Sequence, residues 1–277
     1  MNTIETNMKK DYVVNLHVLE NCNYRCEHCF AHFEQDGMLS IKKWKQIIDN
    51  IIKKTPIRRF NFAGGEPFLY PHLDELIDYI HAKGIDVSII TNGFLLSEKL
   101  ITCFKGKVSM VGISIDAIHP KVLQNLGRCT KDNEILDTDR CIALCKLLKE
   151  NGIMVKINTV VSNMNLHEDF TTFIQTVRPD RWKILKMQRF IYKSYNNTHM
   201  EITDDEFKNF CSRHCGVPHI AEESMKNSYI FVDPTGRLID NSNHTNEPIA
   251  DLLHDDFSKA FASISFNEEL YKSRYVV

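Results

Sequence analysis

From Tyr12 to Met187, short apolar and often β-branched runs alternate with longer stretches whose apolar residues recur at helical spacing. The runs Tyr12 to Leu19, Arg58 to Phe62, Asp86 to Thr91, Val108 to Ile115, Ile153 to Val161 and Arg181 to Met187 read as strands. Ile41 to Lys54, Leu73 to Ala82 and Asn133 to Asn151 read as helices between them. Strands separated by helices run parallel with right-handed crossovers, so the pattern predicts an α/β fold, a partial (β/α)6 TIM-like barrel. Further on, a helix is expected near Asp204 to Cys215. A hairpin follows in which Tyr229 to Val232 turns through Asp233-Pro234-Thr235-Gly236. This divides the chain into a barrel core, residues 1–190, and a C-terminal α+β extension, residues 191–277, expected to close the barrel and complete its pocket.

Composition narrows the class without naming it. A chain of 277 residues with 43% hydrophobic and 25% charged residues has the make-up of a soluble globular protein, and a net charge of -2 gives no bulk attraction to nucleic acid. Any anion site must be local. No apolar run is long enough to span a bilayer, and Met1 to Lys10 is polar without the apolar core of a signal peptide, so a cytoplasmic protein without a membrane anchor is expected. The nine cysteines are not spread as a disulfide framework, because three of them, Cys22, Cys26 and Cys29, fall on one short loop.

That loop, Asn21-Cys22-Asn23-Tyr24-Arg25-Cys26-Glu27-His28-Cys29-Phe30, directly follows the first strand, at the face where barrel enzymes work. A structural zinc takes four protein ligands, whereas three thiolates on a [4Fe-4S] cubane leave one iron open to a substrate or cofactor. A zinc knuckle completed by His28 or a distant residue has the same spacing. Cys141 and Cys145 sit one helical turn apart in a periodic segment and read as small buried hydrophobes, and Cys211 and Cys215 read the same way.

Polar residues also recur at the spacing that puts them on one face of a strand: Asn15 and His17, Arg59 and Asn61, Lys156 and Asn158, Arg181 and Lys183. If these faces point inward, the lumen is wet and cationic and suits a polyanion such as a triphosphate, with Asn15, His17 and Asn158 orienting the rest of the ligand. If they are turned the other way, the charges meet solvent or helix stems.

After the second strand comes Asn61-Phe62-Ala63-Gly64-Gly65-Glu66-Pro67, where paired glycines let backbone approach a ligand and Glu66 can accept from a cationic amine. Joined to the cysteine loop, it closely resembles the radical S-adenosylmethionine (SAM) superfamily. The resemblance implies that Cys22, Cys26 and Cys29 hold the cluster, that Gly64, Gly65 and Glu66 receive the SAM amino group, and that Asn92 and Ser114 hold its methionine and ribose parts. Leu126-Gly127-Arg128, Lys156-Ile157-Asn158-Thr159-Val160-Val161, Arg181-Trp182-Lys183 and Asn227-Ser228-Tyr229 narrow it to the viperin-like nucleotide dehydratases. These convert a nucleoside triphosphate, typically CTP and alternatively UTP or GTP, to its 3′-deoxy-3′,4′-didehydro form in antiviral defence.

The same likeness adds Arg128 to the substrate cations, matches Tyr229 to the position that delivers hydrogen, and calls for an electron donor such as flavodoxin or ferredoxin. A strand tyrosine is otherwise ordinary packing. Ala63 replaces a serine before the glycines, His28 stands where an aromatic hydrophobe is usual, and Asp240 to Pro248 and the tail ending at Val277 are short and lack lysines that help close the nucleotide pocket. Base preference and lid closure stay open for that reason. Two alternatives share part of the pattern. One is a different radical SAM activity, peptide modification or glycyl-radical activation. The other is a non-catalytic metal-binding or electron-transfer protein.

Overall fold

A computed structural model of the protein describes residues 12–33, 37–192, 194–243 and 245–275. The polar segment Met1 to Lys10 and the end of the tail at Val277 lie outside the described residues. The strands are β1 (Tyr12–His17), β2 (Ile57–Ala63), β3 (Asp86–Thr91), β4 (Met110–Ser114), β5 (Met154–Val161), β6 (Arg181–Lys186), β7 (Ile191–Tyr192), β8 (Tyr195–Asn196), β9 (Ile220–Glu222), β10 (Ile230–Val232), β11 (Arg237–Asp240) and β12 (Glu247–Asp251). The helices are α1 (Ile41–Ile52), α2 (Leu73–His81), α3 (Glu98–Phe104), α4 (Pro120–Asn125), α5 (Thr138–Glu150), α6 (Thr171–Val177), α7 (Asp204–Arg213), α8 (Phe257–Ser263) and α9 (Glu268–Tyr275).

The helices form where periodicity and caps agree. Trp44, Ile47, Ile48 and Ile51 give α1 one apolar face, and Leu73, Leu76, Ile77 and Ile80 do the same for α2. Those faces pack on the outward residues of the strands, among them Leu16, Phe60, Phe62 and Ile89, all buried. Burying a side chain of this size stabilises by about 1.5–3 kcal/mol. The helix expected from Asn133 begins later, at Thr138: Asn133 adopts a left-handed φ of 61°, and Asp137 caps the first turn by accepting from the Arg140 amide at 2.7 Å. Within α5, Cys141 and Cys145 are buried among apolar neighbours, as their spacing predicts. Thr203 and Glu206 form a reciprocal capping box at the start of α7.

The six predicted strands lie side by side and parallel, β1 to β6 in chain order. The C-terminal strands do not close them into a ring. β9 adds parallel to β6, β10 adds parallel to β1, and β11 and β12 continue antiparallel, giving one open ten-stranded sheet. Side chains bridge the seam instead: Tyr229, just before β10, donates to Glu222 at the end of β9 at 2.6 Å. Among the described residues no strand pairing closes the barrel.

Candidate functional site

The cysteine loop leaves the carboxyl end of β1 without regular structure and is gripped from two sides. From the β2 turn, the Gly65 amide donates to the Leu19 carbonyl at 2.8 Å and the Glu66 amide to the Asn21 carbonyl at 2.9 Å. From the end of α4, the Gly127 carbonyl accepts from the Arg25 amide and the Leu126 carbonyl from the Glu27 amide, both at 3.1 Å. A methyl group on Gly65 would lie 2.1 Å from the Asn21 carbonyl oxygen, and one on Gly127 would lie 2.0 Å from that of Arg25. The glycines thus serve first to bring neighbouring backbone against the cysteine loop, although Gly64 and Gly65 also line the cavity beside it.

Glu66 makes contacts that the sequence did not foretell. Its carboxylate is fully buried behind the cavity wall and accepts from the Thr91 hydroxyl at 2.7 Å, the Asn92 amide at 2.9 Å and the Phe68 amide at 3.3 Å. Burial pushes its pKa up to about 7 in spite of these donors. Through these bonds Glu66 fixes the ends of β2 and β3 together. Asn92 extends the link, its side-chain amide donating to Asn23 at 2.8 Å and lying 3.7 Å from the Cys22 sulfur.

Cys22, Cys26 and Cys29 are free thiols on the wall of a cavity of about 640 Å³. Burial raises the thiol pKa at all three, to about 11 at Cys26 and about 12 at Cys29. Among the described residues no three His, Cys, Asp or Glu side chains converge on a single ion. Three thiols spread over one wall fit a cubane, in which each thiolate takes a different iron. Arg128 belongs to this wall and lines the same cavity: its Nε lies 3.1 Å from Asp116, it donates to the Cys26 sulfur at 3.5 Å and to the Ser114 carbonyl, and it packs over the Tyr24 ring. Burial alone would raise the Asp116 pKa, but Arg128 and then His28, 3.1 Å away, hold it below the usual carboxylate range.

Beyond the thiols the cavity continues into the lumen. Asn61 donates to Asn15 at 2.8 Å and accepts from Ser88 at 2.8 Å, while Asn15 donates to the Ile230 carbonyl at 3.1 Å, a polar band across β10, β1, β2 and β3. Asn15, His17, Asn61, Lys156 and Asn158 all line the cavity, and so do Asn92, Ser114 and Tyr229. Gly112 makes room for the Ile90 side chain, which a methyl group there would meet at 2.4 Å. Among the described residues neither ring nitrogen of His17 has a hydrogen-bond partner, and burial lowers its pKa to about 3, which keeps the imidazole neutral. Burial, and next the repulsion of Lys183, draws the Lys156 pKa well below the ordinary lysine value.

The remaining predicted cations stand behind this surface. Arg59 lies 3.8 Å from Asp86, and Arg59, Arg181 and Lys183 do not line the cavity, although all three act on Lys156 through their charge. Lys183 is neutralised by a buried ion pair with Glu222, which also accepts from Arg274 at 2.9 Å. Burial would raise the Glu222 pKa, yet Lys183 and Arg274 hold it below the usual range. Sequence reasoning missed Glu222, Arg274 and Ser88. Asp116, in the strand end Ser114-Ile115-Asp116 that the family likeness assigns to SAM, lies two residues past Ser114 and lines the cavity.

A parallel sheet whose carboxyl end holds three thiols beside a deep polar chamber defines an enzyme that uses an iron–sulfur cluster. The sequence pattern of the radical SAM superfamily matches residues 16–177. The fold agrees: Streptococcus suis SuiB bound to its precursor peptide SuiA superposes over 96% of this chain and 67% of its own with a TM-score of 0.71 at 15% identity. anSMEcpe with bound AdoMet and a peptide covers 96% and 84% with a TM-score of 0.72 at 16% identity. In sequence the chain is 39% identical over 270 residues to the S-adenosylmethionine-dependent nucleotide dehydratase of Selenomonas ruminantium, 95% of this chain and 98% of that protein. It is 26% identical over 275 residues to one from Danio rerio, 94% of this chain and 76% of that protein.

The chain is a radical SAM enzyme, working with a [4Fe-4S] cluster and SAM. Within that superfamily it belongs to the viperin-like family of S-adenosylmethionine-dependent nucleotide dehydratases. Among the described residues no helix is long and apolar enough to cross a membrane.

Proposed function

We propose that this enzyme removes water from the ribose of a nucleoside triphosphate, CTP first and UTP or GTP as alternatives. The product is the 3′-deoxy-3′,4′-didehydro nucleotide, formed with 5′-deoxyadenosine and methionine and serving antiviral defence in the cytoplasm. The observation that carries the reading is Lys156: it lines the cavity, has Arg59, Arg181 and Lys183 behind it, and makes no ion pair among the described residues. A half-buried amine whose protonation the neighbouring cations oppose gains a great deal from a polyphosphate. The names of the relatives support a nucleotide, while CTP and the defence role rest on the viperin likeness.

When bound, the cluster and SAM supply an oxidant for a sugar C–H bond. Cys22, Cys26 and Cys29 would hold the cluster, and Gly64 and Gly65 backbone with Asn92 and Ser114 would seat SAM. Lys156 and Asn158 would orient the nucleotide phosphates, and neutral His17 can donate or accept toward ribose or base. Tyr229 lines the same cavity and would return the electron that completes the dehydration. A low-potential carrier such as flavodoxin or ferredoxin would supply the reducing electrons.

The test is anaerobic incubation of the reconstituted enzyme with SAM, dithionite and each of CTP, UTP and GTP, followed by mass analysis. Loss of water from one nucleotide, coupled to 5′-deoxyadenosine, is expected. No nucleotide-dependent product would refute the assignment. Tyr229→Phe should keep 5′-deoxyadenosine formation and lose the dehydrated nucleotide. Full product with an intact cluster would remove the role given to Tyr229.

A further inference from the structure

The Tyr229 hydroxyl is the donor in a 2.6 Å hydrogen bond to Glu222, and both side chains are buried. Glu222 is held ionised by Lys183 on one oxygen and Arg274 on the other. The Arg274 guanidinium also stacks on the Tyr229 ring at 4.5 Å, and Phe231 lies parallel to that ring at 5.6 Å. A phenol that loses an electron becomes a strong acid and must shed its proton at once. In a buried site the proton needs an anionic acceptor already in hydrogen-bond contact. A carboxylate clamped by two cations and lying 2.6 Å from the phenol supplies one.

We propose that Glu222 is the proton acceptor for Tyr229 when Tyr229 gives its electron to the dehydrating sugar, an inference that rests on the nucleotide-dehydratase reading above. After a hydrogen atom has left C4′ and the 3′-hydroxyl has departed, taking a proton from solvent to form water, the sugar is one electron short of its C3′–C4′ double bond. The Tyr229 O–H bond then breaks. Its electron passes to the sugar, its proton passes to the Glu222 carboxylate, and a neutral phenoxyl radical faces a neutral carboxylic acid. An electron from the external iron–sulfur or flavin carrier, with the proton handed back by Glu222, restores both groups. Lys183 and Arg274 are positioning residues here: they keep Glu222 anionic before the transfer.

The experiment is single turnover of the reconstituted holoenzyme with SAM, dithionite and CTP, following 5′-deoxyadenosine and dehydrated nucleotide separately. Glu222→Gln keeps an oxygen that can accept from the phenol but cannot take its proton. Nucleotide-dependent 5′-deoxyadenosine should persist while the rate of product formation falls on the order of 100-fold. Glu222→Asp should recover part of the loss. Wild-type enzyme in D2O should slow in product formation and not in 5′-deoxyadenosine formation, a readout that needs no variant to fold. A wild-type ratio of product to 5′-deoxyadenosine in Glu222→Gln, equal loss of both, or no isotope difference in wild type would overturn the proposal. A wild type that forms no dehydrated nucleotide would instead overturn the dehydratase reading, and this inference with it.

Discussion

Gly127 offers the sharpest test of how the cysteine loop is held. A methyl group there would stand 2.0 Å from the Arg25 carbonyl oxygen, 2.8 Å from the Arg25 carbonyl carbon and 3.3 Å from the Cys26 Cα, all of them backbone atoms that cannot rotate aside. Reaching even 3.0 Å requires the loop to retreat by about 1 Å, and Cys26 moves with it. Gly127→Ala carries two costs if the loop stays. The left-handed φ of 69° costs about 1–2 kcal/mol for a residue with a Cβ, and the overlap costs about 1–3 kcal/mol more. If the loop retreats, the hydrogen bonds of Arg25 and Glu27 to this segment are lost at roughly 1 kcal/mol each. Metal ligands tolerate about 0.2 Å of misplacement, so a 1 Å shift of Cys26 also forfeits the cluster.

Gly84→Ala is the control, because its φ of 66° matches and nothing lies within 4 Å of the added methyl. It should pay the backbone cost alone. The assay is iron and sulfide bound per chain after anaerobic reconstitution, together with thermal unfolding of the unloaded protein. Gly127→Ala should melt roughly 2–10 °C below Gly84→Ala and bind much less iron. Equal melting temperatures and equal iron would refute the claim that the loop is positioned by backbone contact.

Lys156→Met should act in opposite directions on two measurements. Removing a desolvated lysine that faces other cations stabilises the unliganded protein by about 1–4 kcal/mol in thermal unfolding, while nucleotide affinity falls at least about tenfold in equilibrium binding; lower stability, or unchanged affinity, contradicts the reading. For His17 the folded-state pKa is depressed to about 3 and the unfolded value is 6.5, so the unfolded chain binds the extra proton. Stability from this group is present above pH 6.5 and lost as pH falls toward about 3, and subtracting His17→Asn melting curves from wild type should isolate that slope. Glu66→Gln would set an amide N–H against the Thr91 hydroxyl or the Asn92 amide, costing about 1–3 kcal/mol in thermal unfolding. It should weaken SAM binding, read by equilibrium dialysis, by loosening Asn92; a variant as stable as wild type would show that Glu66 is not the clamp its contacts imply.

The parts of this protein legible in the sequence are those written by local rules. The cysteine loop and the glycine turn need only neighbouring residues to be recognised, and alternation along a strand correctly turned Asn15, His17, Lys156 and Asn158 toward the cavity. Alternation reports a face and not a depth or a partner. It could not tell that Lys183 is answered by Glu222, 39 residues on, or that Glu222 is shared with Arg274, a further 52 residues away. Nor could it tell that Arg128 is committed to Asp116 beside the thiols.

A physical constraint nevertheless pointed to the missing acid. Arg59, Lys156, Arg181 and Lys183, on β2, β5 and β6, would repel one another in a buried setting unless a carboxylate joined them. The carboxylate that answers Lys183 comes from the C-terminal extension, whose short strand Ile220–Glu222 pairs with the strand carrying Lys183. Counting inward charge before assigning substrate contacts therefore separates Lys183, answered within the fold, from Lys156, which lines the cavity without an ion pair among the described residues.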